Sequence, residues 1–234
     1  MTSSRLPGKI LMDVAGRPML ARQIERLRMC RSCDRLVVAT TTNPTDDPVA
    51  KLAEDLNVSL FRGSEHDVLA RYLGAVRAFD AEVVVRLTAD CPLIDPQIAD
   101  RVVDALLVSE GGCDYASNVV RRTYPRGLDT EVLHRDTLER LTRLAVSQPA
   151  REHVTYFITT ERPDLFVVRG VEDVSDNSDL RWTVDTAEDL GAIRLIYEEA
   201  GLAERFIPYH ELLAWVRSHP DIAIANRHVQ QKIR

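Results

Sequence analysis

The sequence predicts an α/β protein in which helices flank a largely parallel β-sheet. Two observations indicate this fold. Short apolar runs alternate with amphipathic helical segments along the first half of the chain, as they do in repeated strand–helix–strand units. In addition, the run at residues 82–87 is apolar on both faces, which is typical of a central parallel strand covered by helices on each side.

The individual elements follow from hydrophobic spacing and from helix-start residues. Between residues 67 and 79, apolar side chains recur on one helical face. Pro96 suits the first turn of a helix, because a backbone N–H would be unpaired there anyway. The predicted elements of this half are, in order, a helix over about residues 18–31, a strand at 36–40, a helix at 48–56, a strand at 58–61, a helix at 67–79, a strand at 82–87 and a helix from Pro96 onward.

From Tyr115 onward the alternation is less regular. We interpret residues 115–171 as a substrate-binding or dimerisation subdomain, inserted into a single domain that covers residues 1–234. Residues 180–185 are predicted to form a last strand, and Thr186 is placed to cap the helix that follows. The strands predicted inside the inserted segment are 115–118, 130–133 and 165–171.

Length and charge limit the classes of function. A chain of 234 residues is long enough for one α/β domain with a full core. The net charge of −6 argues against an extended surface for nucleic acid or membranes, so any phosphate binding must depend on local cations. No apolar run is long enough to span a membrane and no secretion signal precedes the polar N-terminus, so we expect a cytoplasmic protein.

The first residues form a candidate phosphate-binding loop. Gly8 allows the backbone to approach a ligand closely, and Pro7 stiffens the turn before it. Arg5 supplies a bidentate fork and Lys9 a point charge, and together they suit the oxygens of a polyphosphate. The plainer alternative is that both are solvated cations near a chain terminus.

Two aspartates form the second part of the candidate site. Asp90 and Asp185 each come at or just after the end of a predicted strand, which is the edge where ligands bind in open α/β sheets. Carboxylates that converge there hold a divalent cation, and we expect Mg²⁺ with nucleotide phosphates completing its coordination. Such a site transfers phosphoryl or nucleotidyl groups by positioning and electrostatic stabilisation. Alternatively, each aspartate only precedes the start of a helix.

Several motifs also occur in one order along nearly the whole chain. They are residues 4–9 (SRLPGK), 37–40 (VVAT), 61–64 (FRGS), 90–95 (DCPLID), 124–129 (YPRGLD), 151–154 (REHV) and 182–186 (WTVDT). In this order they resemble the spore-coat polysaccharide branch of the sugar cytidylyltransferases, relatives of the CMP-Kdo and CMP-sialic acid synthetases. No single motif is specific, but the combination is.

The resemblance implies a fold, a reaction and a set of site residues. The fold is a Rossmann-like nucleotidyltransferase fold, and the reaction transfers CMP from CTP to a sugar or sugar acid with Mg²⁺ and release of pyrophosphate. A homodimer is also implied. By position, the resemblance assigns catalysis to Arg5, Lys9, Asp90 and Asp185, and makes both aspartates metal ligands. It assigns nucleotide binding to Ser4, Arg5, Gly8, Lys9, Thr40 and Arg71. It assigns sugar binding or a dimer contact to Tyr124, Arg126, Asp129 and His153.

Structural roles remain open for the more peripheral of these residues. Thr40 could simply end a strand, and Arg71 could form a surface ion pair. At His153 a structural hydrogen bond is as reasonable as catalysis. Tyr124 and Arg126, in a loop rich in turn residues, could contact another subunit instead of a substrate.

One departure from the family leaves two other functions open. Members of the family have an apolar strand and an Ala-Arg step immediately before the phosphate loop, whereas Met1 lies in the loop here. The resemblance therefore predicts that the first strand is absent from this sequence. Either residues encoded upstream supply it, or the protein has lost activity and is a nucleotide-binding scaffold. A glycosyltransferase of similar fold is a further alternative, but Asp90-Cys91-Pro92 replaces the Asp-X-Asp expected there.

Overall fold

A computed structural model describes residues 5–109 and 111–230, and it confirms the α/β class. The helices are α1 (Met19–Leu27), α2 (Asp47–Asp55), α3 (Val68–Phe79), α4 (Pro96–Leu107), α5 (Arg135–Leu144), α6 (Gln148–His153), α7 (Ala187–Glu199), α8 (Tyr209–Ser218) and α9 (Pro220–Ile224). The strands are β1 (Asp13–Val14), β2 (Arg17–Pro18), β3 (Val37–Thr41), β4 (Ser59–Gly63), β5 (Val83–Arg86), β6 (Tyr115–Ser117), β7 (Glu131–His134) and β8 (Val168–Gly170).

Side-chain caps fix where three of the helices begin. The Asp67 carboxylate accepts a hydrogen bond from the backbone N–H of Ala70 at the start of α3. Asp95 caps α4 in the same way, immediately before Pro96 in the first turn. At α7, Thr186 and Asp189 form a capping box, so two of the otherwise unpaired N–H groups are satisfied reciprocally. Pro96 and Thr186 were identified in the sequence as helix-start residues, and α4 and α7 begin where they indicate.

The strands pair in a mixed pattern. β3 and β4 are parallel, whereas β7 lies antiparallel between β5 and β6, and β8 is parallel to β6. The expected mostly parallel sheet is therefore found only in part, because β7 enters the sheet in the opposite direction. The segment 115–171 supplies β6, β7 and β8 to the same sheet as β5, together with α5 and α6.

Residues 180–185 differ from the expected strand. The segment makes a single parallel bridge, between Arg181 and Arg126. The N–H of Arg126 donates to the carbonyl of Leu180 at 3.1 Å, and the N–H of Trp182 donates back to the carbonyl of Arg126 at 2.6 Å. Because one loop residue is the only pairing partner within the described chain, the segment is extended and buried but is not a full strand.

The core that supports the site packs around α7 and α8. Its largest buried side chains include Met19, Tyr124, Trp182, Tyr197 and Tyr209. This cluster holds the extended segment 180–184 beneath the N-terminal turn, so the two ends of the chain meet in one core. In the part of the chain that the structure describes, none of the helices is both long and apolar enough to cross a membrane.

Candidate active site

The side chain of Lys9 joins three parts of the chain that are distant in sequence. Gly8 adopts a left-handed conformation, with φ of 70°, and starts the short 3₁₀ turn Lys9–Leu11. From this turn the Lys9 Nζ donates to Asp90 Oδ2 at 2.8 Å and to Asp185 Oδ1 at 2.9 Å. It also donates to the carbonyl of Val184 at 2.6 Å. The ammonium therefore uses all three of its protons within the site.

Asp90 is held by the loop that follows β5. The hydroxyl of Thr88 donates to Asp90 Oδ1 at 2.7 Å, so each carboxylate oxygen has a partner. The backbone carbonyl of Asp90 accepts from the N–H of Val184 at 2.9 Å and from the hydroxyl of Thr183 at 3.2 Å. These bonds fix the loop after β5 against the segment that leads to Asp185.

Asp185 lies among three cations. Besides Lys9, the guanidinium of Arg5 lies 2.9 Å from Asp185 Oδ2, and Arg181 NH2 donates to the same oxygen at 2.9 Å. Arg181 is itself held by a bidentate pair with the buried carboxylate of Asp189, at 2.8 and 3.0 Å. Asp189 thus orients the arginine that orients Asp185.

The charges in this cluster shift each other's protonation. Burial disfavours the charged form of Lys9, but Asp90 and Asp185 outweigh burial and raise the pKa of the ammonium. Burial also disfavours the carboxylate of Asp185, yet Lys9, Arg181 and Arg5 together lower its pKa below the ordinary value. At neutral pH Lys9 and Asp185 are therefore both charged and attract each other.

The two aspartates fit a magnesium ion. Both carboxylates point toward one cation in this structure, the Lys9 ammonium, and oxygen donors are what Mg²⁺ prefers. Across residues 5–109 and 111–230, no group of three or more His, Cys, Asp or Glu side chains could hold a metal. The described residues thus supply two carboxylates, which suits an ion whose remaining ligands are water and phosphate oxygens.

Thr40 and Arg71, two of the expected nucleotide-binding residues, bond to loops other than those of the Lys9 cluster, and Ser4 lies outside the described residues. The hydroxyl of Thr40 donates to Asp46 Oδ2 at 2.7 Å, where Thr41 also donates, so it stabilises the loop after β3. Arg71 on α3 donates to the carbonyl of Ser64. Both Thr40 and Arg71 line the cavity beside β3.

The four residues expected at the sugar pocket each have a different environment. Tyr124 is 1% exposed, and Arg101 donates to its hydroxyl at 2.6 Å, so the ring is part of the core. Arg126 lies in the loop that pairs with residue 181. His153 ends α6, which packs against α3, and its ring lies 6.4 Å from that of Tyr156.

Asp129, the fourth member of this group, is held by Arg122. Arg122 donates to both of its carboxylate oxygens, at 2.6 and 2.7 Å. Burial, helped by the nearby carboxylates of Asp90 and Asp129, raises the pKa of the Cys91 thiol. Asp129 is therefore close enough to Cys91, the residue after Asp90, for its charge to act on that thiol.

Three residues of the site were not predicted. Arg181, Arg122 and Thr88 each bond to one of the aspartates. Arg181 precedes Asp185 by four residues and Asp189 by eight, a spacing that could have indicated ion pairing. Nothing in the sequence pattern distinguishes Arg122 from its neighbour Arg121.

Comparisons with known proteins agree with this geometry. Residues 1–197 match the model of a family described as Cytidylyltransferase. The spore coat polysaccharide biosynthesis protein SpsF of Bacillus subtilis is 32% identical over 231 residues, which are 95% of this chain and 93% of that protein. A cytidylyltransferase structure from Leptospira borgpetersenii has a TM-score of 0.89 at 32% identity, covering 100% of this chain and 95% of the other.

A more distant structure shows the fold alone. It is that of a CMP:2-keto-3-deoxy-manno-octonic acid synthetase complexed with CTP, with a TM-score of 0.65 at 19% identity. The similarity covers 85% of this chain and 95% of the other. Together these structures confirm the nucleotidyltransferase fold that the motifs implied.

Proposed function

This chain belongs to the cytidylyltransferase family, a CTP-dependent class of nucleotidyltransferases, and we propose that it transfers CMP from CTP to a sugar or sugar acid for polysaccharide synthesis. The observation that carries the proposal is the convergence of Lys9, Asp90 and Asp185 at one point. The name of the Bacillus relative, which refers to spore coat polysaccharide, supports the class of product. Family membership favours this reaction over a glycosyltransferase or a scaffold.

The proposed chemistry needs no protein nucleophile. A hydroxyl oxygen of the sugar attacks the α-phosphorus of CTP and forms a new P–O bond, and the hydroxyl releases its proton to solvent. The bond from that phosphorus to the oxygen bridging the α- and β-phosphates breaks, and pyrophosphate leaves with the electron pair. We propose that, when CTP binds, Lys9 exchanges one of its three present partners for a phosphate oxygen. With Arg5 it then stabilises the negative charge that develops on the leaving group. Thr88 and Arg181 keep the two aspartates oriented.

Asp90 and Asp185 are the residues proposed to hold Mg²⁺. When bound, the ion would neutralise part of the negative charge of the triphosphate. The lowered pKa of Asp185 keeps its carboxylate ionised at neutral pH, and hydrogen bonds fix the positions of both carboxylates. Loss of either carboxylate would leave Lys9 paired with only the other.

The sugar is proposed to bind beside Asp129. Its carboxylate can accept hydrogen bonds from sugar hydroxyls, and the bidentate contact from Arg122 fixes its direction. Arg126 supplies a cation suited to the carboxylate of a sugar acid. We propose that Tyr124 supports this loop from the core and that His153 contributes to sugar binding. Thr40 and Arg71 stay proposed nucleotide-binding residues. We also propose that the enzyme works as a homodimer in the cytoplasm.

Nucleotide binding is the first test. Calorimetric titrations with CTP, UTP, GTP and ATP, each with Mg²⁺ and with EDTA, are compared for the natural chain, Asp90→Asn and Asp104→Asn. Asp104 is an exposed aspartate on α4 and serves as the matched control. We expect Mg²⁺-dependent binding that is selective for CTP, lost in Asp90→Asn and kept in Asp104→Asn. Equal affinity for all four nucleotides would contradict the proposal.

Turnover identifies the acceptor. Pyrophosphate release from CTP is measured with 3-deoxy-manno-octulosonate, N-acetylneuraminate and a neutral hexose as candidate acceptors. We expect one of the acids to stimulate release, and Arg126→Ala to raise the KM for that acid more than it lowers kcat. If only the neutral hexose stimulated pyrophosphate release, and Arg126→Ala did not change its KM, the acceptor would be a neutral sugar and the proposed sugar acid would be wrong.

A further inference from the structure

Two of the four cysteines lie side by side in the turn that follows α1. The Sγ atoms of Cys30 and Cys33 are 3.1 Å apart, and both thiols are free. The other two cysteines have separate partners. Cys91 Sγ lies 3.5 Å from the hydroxyl of Thr88, and Cys113 Sγ donates to the carbonyl of Tyr115 at 3.2 Å. The proposed transfer of CMP makes no use of the adjacent pair.

The two adjacent thiols differ in accessibility. Cys30 is only 9% exposed, whereas Cys33 is half-buried and is followed by the exposed Asp34. A reagent in solution therefore reaches the sulfur of Cys33 before that of Cys30.

A buried carboxylate lies beside Cys30. Asp100 of α4 is 2% exposed, and its Oδ1 lies 3.0 Å from Cys30 Sγ. A thiol carries one proton, so Cys30 can donate it to Asp100 while a lone pair of the same sulfur faces Cys33. This is the geometry in which Cys30 can attack the neighbouring sulfur and lose its proton.

The surroundings favour Cys33 as the thiolate of the pair. A hydrogen bond from the Cys30 thiol lowers the pKa of Cys33 and outweighs burial and the carboxylates of Asp100 and Asp34. The same hydrogen bond, together with burial and Asp100, raises the pKa of Cys30. Because the thiolate is the form that attacks a disulfide, Cys33 is the better nucleophile.

The turn between the two cysteines is anchored without the help of either sulfur. Asp100 Oδ1 accepts the N–H of Ser32 at 2.8 Å and the N–H of Arg31 at 3.0 Å. A disulfide bond is about 2.05 Å long, so the two sulfurs need to approach each other by about 1 Å. Neither backbone hydrogen bond to Asp100 has to break for this approach.

Paired cysteines at this spacing also occur in zinc sites. A structural zinc ion needs four ligands. Across residues 5–109 and 111–230, no three His, Cys, Asp or Glu side chains are grouped so that they could hold a metal. The arrangement therefore favours chemistry of the two thiols themselves.

We propose that Cys30 and Cys33 form a reversible redox pair that is oxidised by a small-molecule disulfide such as oxidised glutathione. Cys33 loses its proton to solvent, and its thiolate attacks one sulfur of that disulfide. The disulfide bond breaks, a mixed disulfide forms on Cys33, and one glutathione leaves as the thiolate.

Cys30 completes the oxidation. Its sulfur attacks Cys33 Sγ, its proton passes to Asp100 and on to solvent, and the second glutathione leaves as the thiolate. The protein loses two electrons and two protons, and the glutathione thiolates take up two protons to give two thiols. In a reducing compartment such a disulfide is transient, so the reverse reaction belongs to the proposal. The inference does not depend on which nucleotide or sugar the protein binds.

Peptide mapping of the natural chain is the first test. Trypsin cleaves after Arg28, Arg31 and Arg35, so it places the two cysteines on separate peptides, 29–31 and 32–35. After treatment with oxidised glutathione and alkylation of the remaining thiols, we expect these peptides to be joined by a disulfide. The count of free thiols should fall from four to two, and dithiothreitol should restore it.

Two variants accompany the natural chain. Cys33→Ser should form no disulfide within the protein, whereas the matched control Cys113→Ser should still lose two thiols. Linked peptides that contain Cys91 or Cys113, or an unchanged count of four free thiols in the natural chain, would overturn the proposal.

The rate of glutathione attachment tests the separate roles. Mass spectrometry of the intact protein should show Cys30→Ser stopping at the mixed disulfide, and Cys33→Ser forming one at least about tenfold more slowly. Asp100→Asn lacks the proton acceptor, so its mixed disulfide should accumulate. Asp104→Asn, at an exposed position of α4, should convert at the natural rate. Equal rates of attachment in the two cysteine variants would contradict the assignment of Cys33 as the attacking thiol.

Discussion

The Nζ of Lys9 lies 2.8 Å from Oδ2 of Asp90, although 81 residues separate them in the chain. The same ammonium contacts Asp185, a further sequence-distant carboxylate, at 2.9 Å. One lysine thus holds together the N-terminal turn, the loop after β5 and the segment before α7. Its removal affects the shape of the site as well as its charge.

Replacing Lys9 by methionine should impair both stability and turnover. The substitution leaves Asp90 and Asp185 facing each other without the cation between them. Because Lys9 is partly accessible, we expect a loss of about 1–3 kcal/mol in the free energy of unfolding. We also expect a fall of at least roughly 100-fold in kcat/KM for CTP. Urea denaturation and pyrophosphate release measure the two effects.

Lys51→Met is the matched control for that variant. The Lys51 side chain is 73% exposed and pairs with Asp55 one helical turn away. We expect the control to keep both its melting temperature and its activity. If the two methionine variants behaved alike, Lys9 would have no special role in the site.

Acid should weaken the fold through Asp185. Its pKa is lower in the folded chain than in the unfolded chain, because Lys9, Arg181 and Arg5 favour the carboxylate despite burial. Its contribution to stability is therefore complete above the unfolded value of about 3.9, and it is lost as the pH falls through the lowered folded value. We expect the free energy of unfolding to decline below about pH 4, and less steeply in Asp185→Asn. Identical acid slopes for the two proteins would contradict this assignment.

Asp189→Ala should be strongly destabilising. The Asp189 carboxylate is fully buried, pairs with Arg181 through two hydrogen bonds and completes the capping box of α7. Removing it leaves Arg181 buried without its main counter-charge, at a cost of about 3–5 kcal/mol. The neighbouring Glu188 is exposed, so Glu188→Ala should leave the melting temperature unchanged. Thermal denaturation of the two variants separates the roles of adjacent acidic residues.

Gly127→Ala should disrupt the loop beside Asp129. Gly127 has φ of +104°, and an added Cβ would lie 2.5 Å from the backbone carbonyl carbon of Trp182. Both the strain and the contact are unfavourable, and we expect a loss of at least about 2 kcal/mol.

The matched control for that glycine lies in α7. A Cβ added at Gly191 has no atom within 4 Å, so Gly191→Ala should raise stability by about 0.5–1 kcal/mol. Opposite signs for the two substitutions in urea denaturation are the expected result. Destabilisation of similar size by both would show that the loop at residue 127 has room to adjust.

The sequence predicted the elements whose positions depend on neighbouring residues in the chain. Pro96 and the Thr186 cap predicted the starts of α4 and α7, and apolar spacing predicted the helix at 67–79. Strand β5 lies inside the predicted strand at 82–87. The pairing of Lys9 with Asp90 and Asp185 agrees with the expectation that both aspartates converge at one edge of the sheet. Their proposed role in binding a metal stays a prediction.

The direction of a strand and the burial of a loop side chain could not be predicted from the local sequence. The apolar pattern of β7 identifies a strand but does not show whether it runs parallel or antiparallel to its neighbours. Tyr124 lies in a loop rich in turn residues, yet its ring is buried, because the loop folds back against Trp182. Both features depend on contacts between segments far apart in the chain, which periodicity does not report.

The position of β7 between β5 and β6 also limits the order in which the chain can fold during synthesis. β5 and β6 are neighbours in sequence, but neither pairs with the other. When the ribosome has made β6, the central position of this sheet is still vacant, and it is filled only after residue 134 emerges. β3 and β4, joined by one helix, can pair much earlier. We therefore expect nascent chains that end before Glu131 to protect β3 and β4 from proteolysis while β5 and β6 remain susceptible.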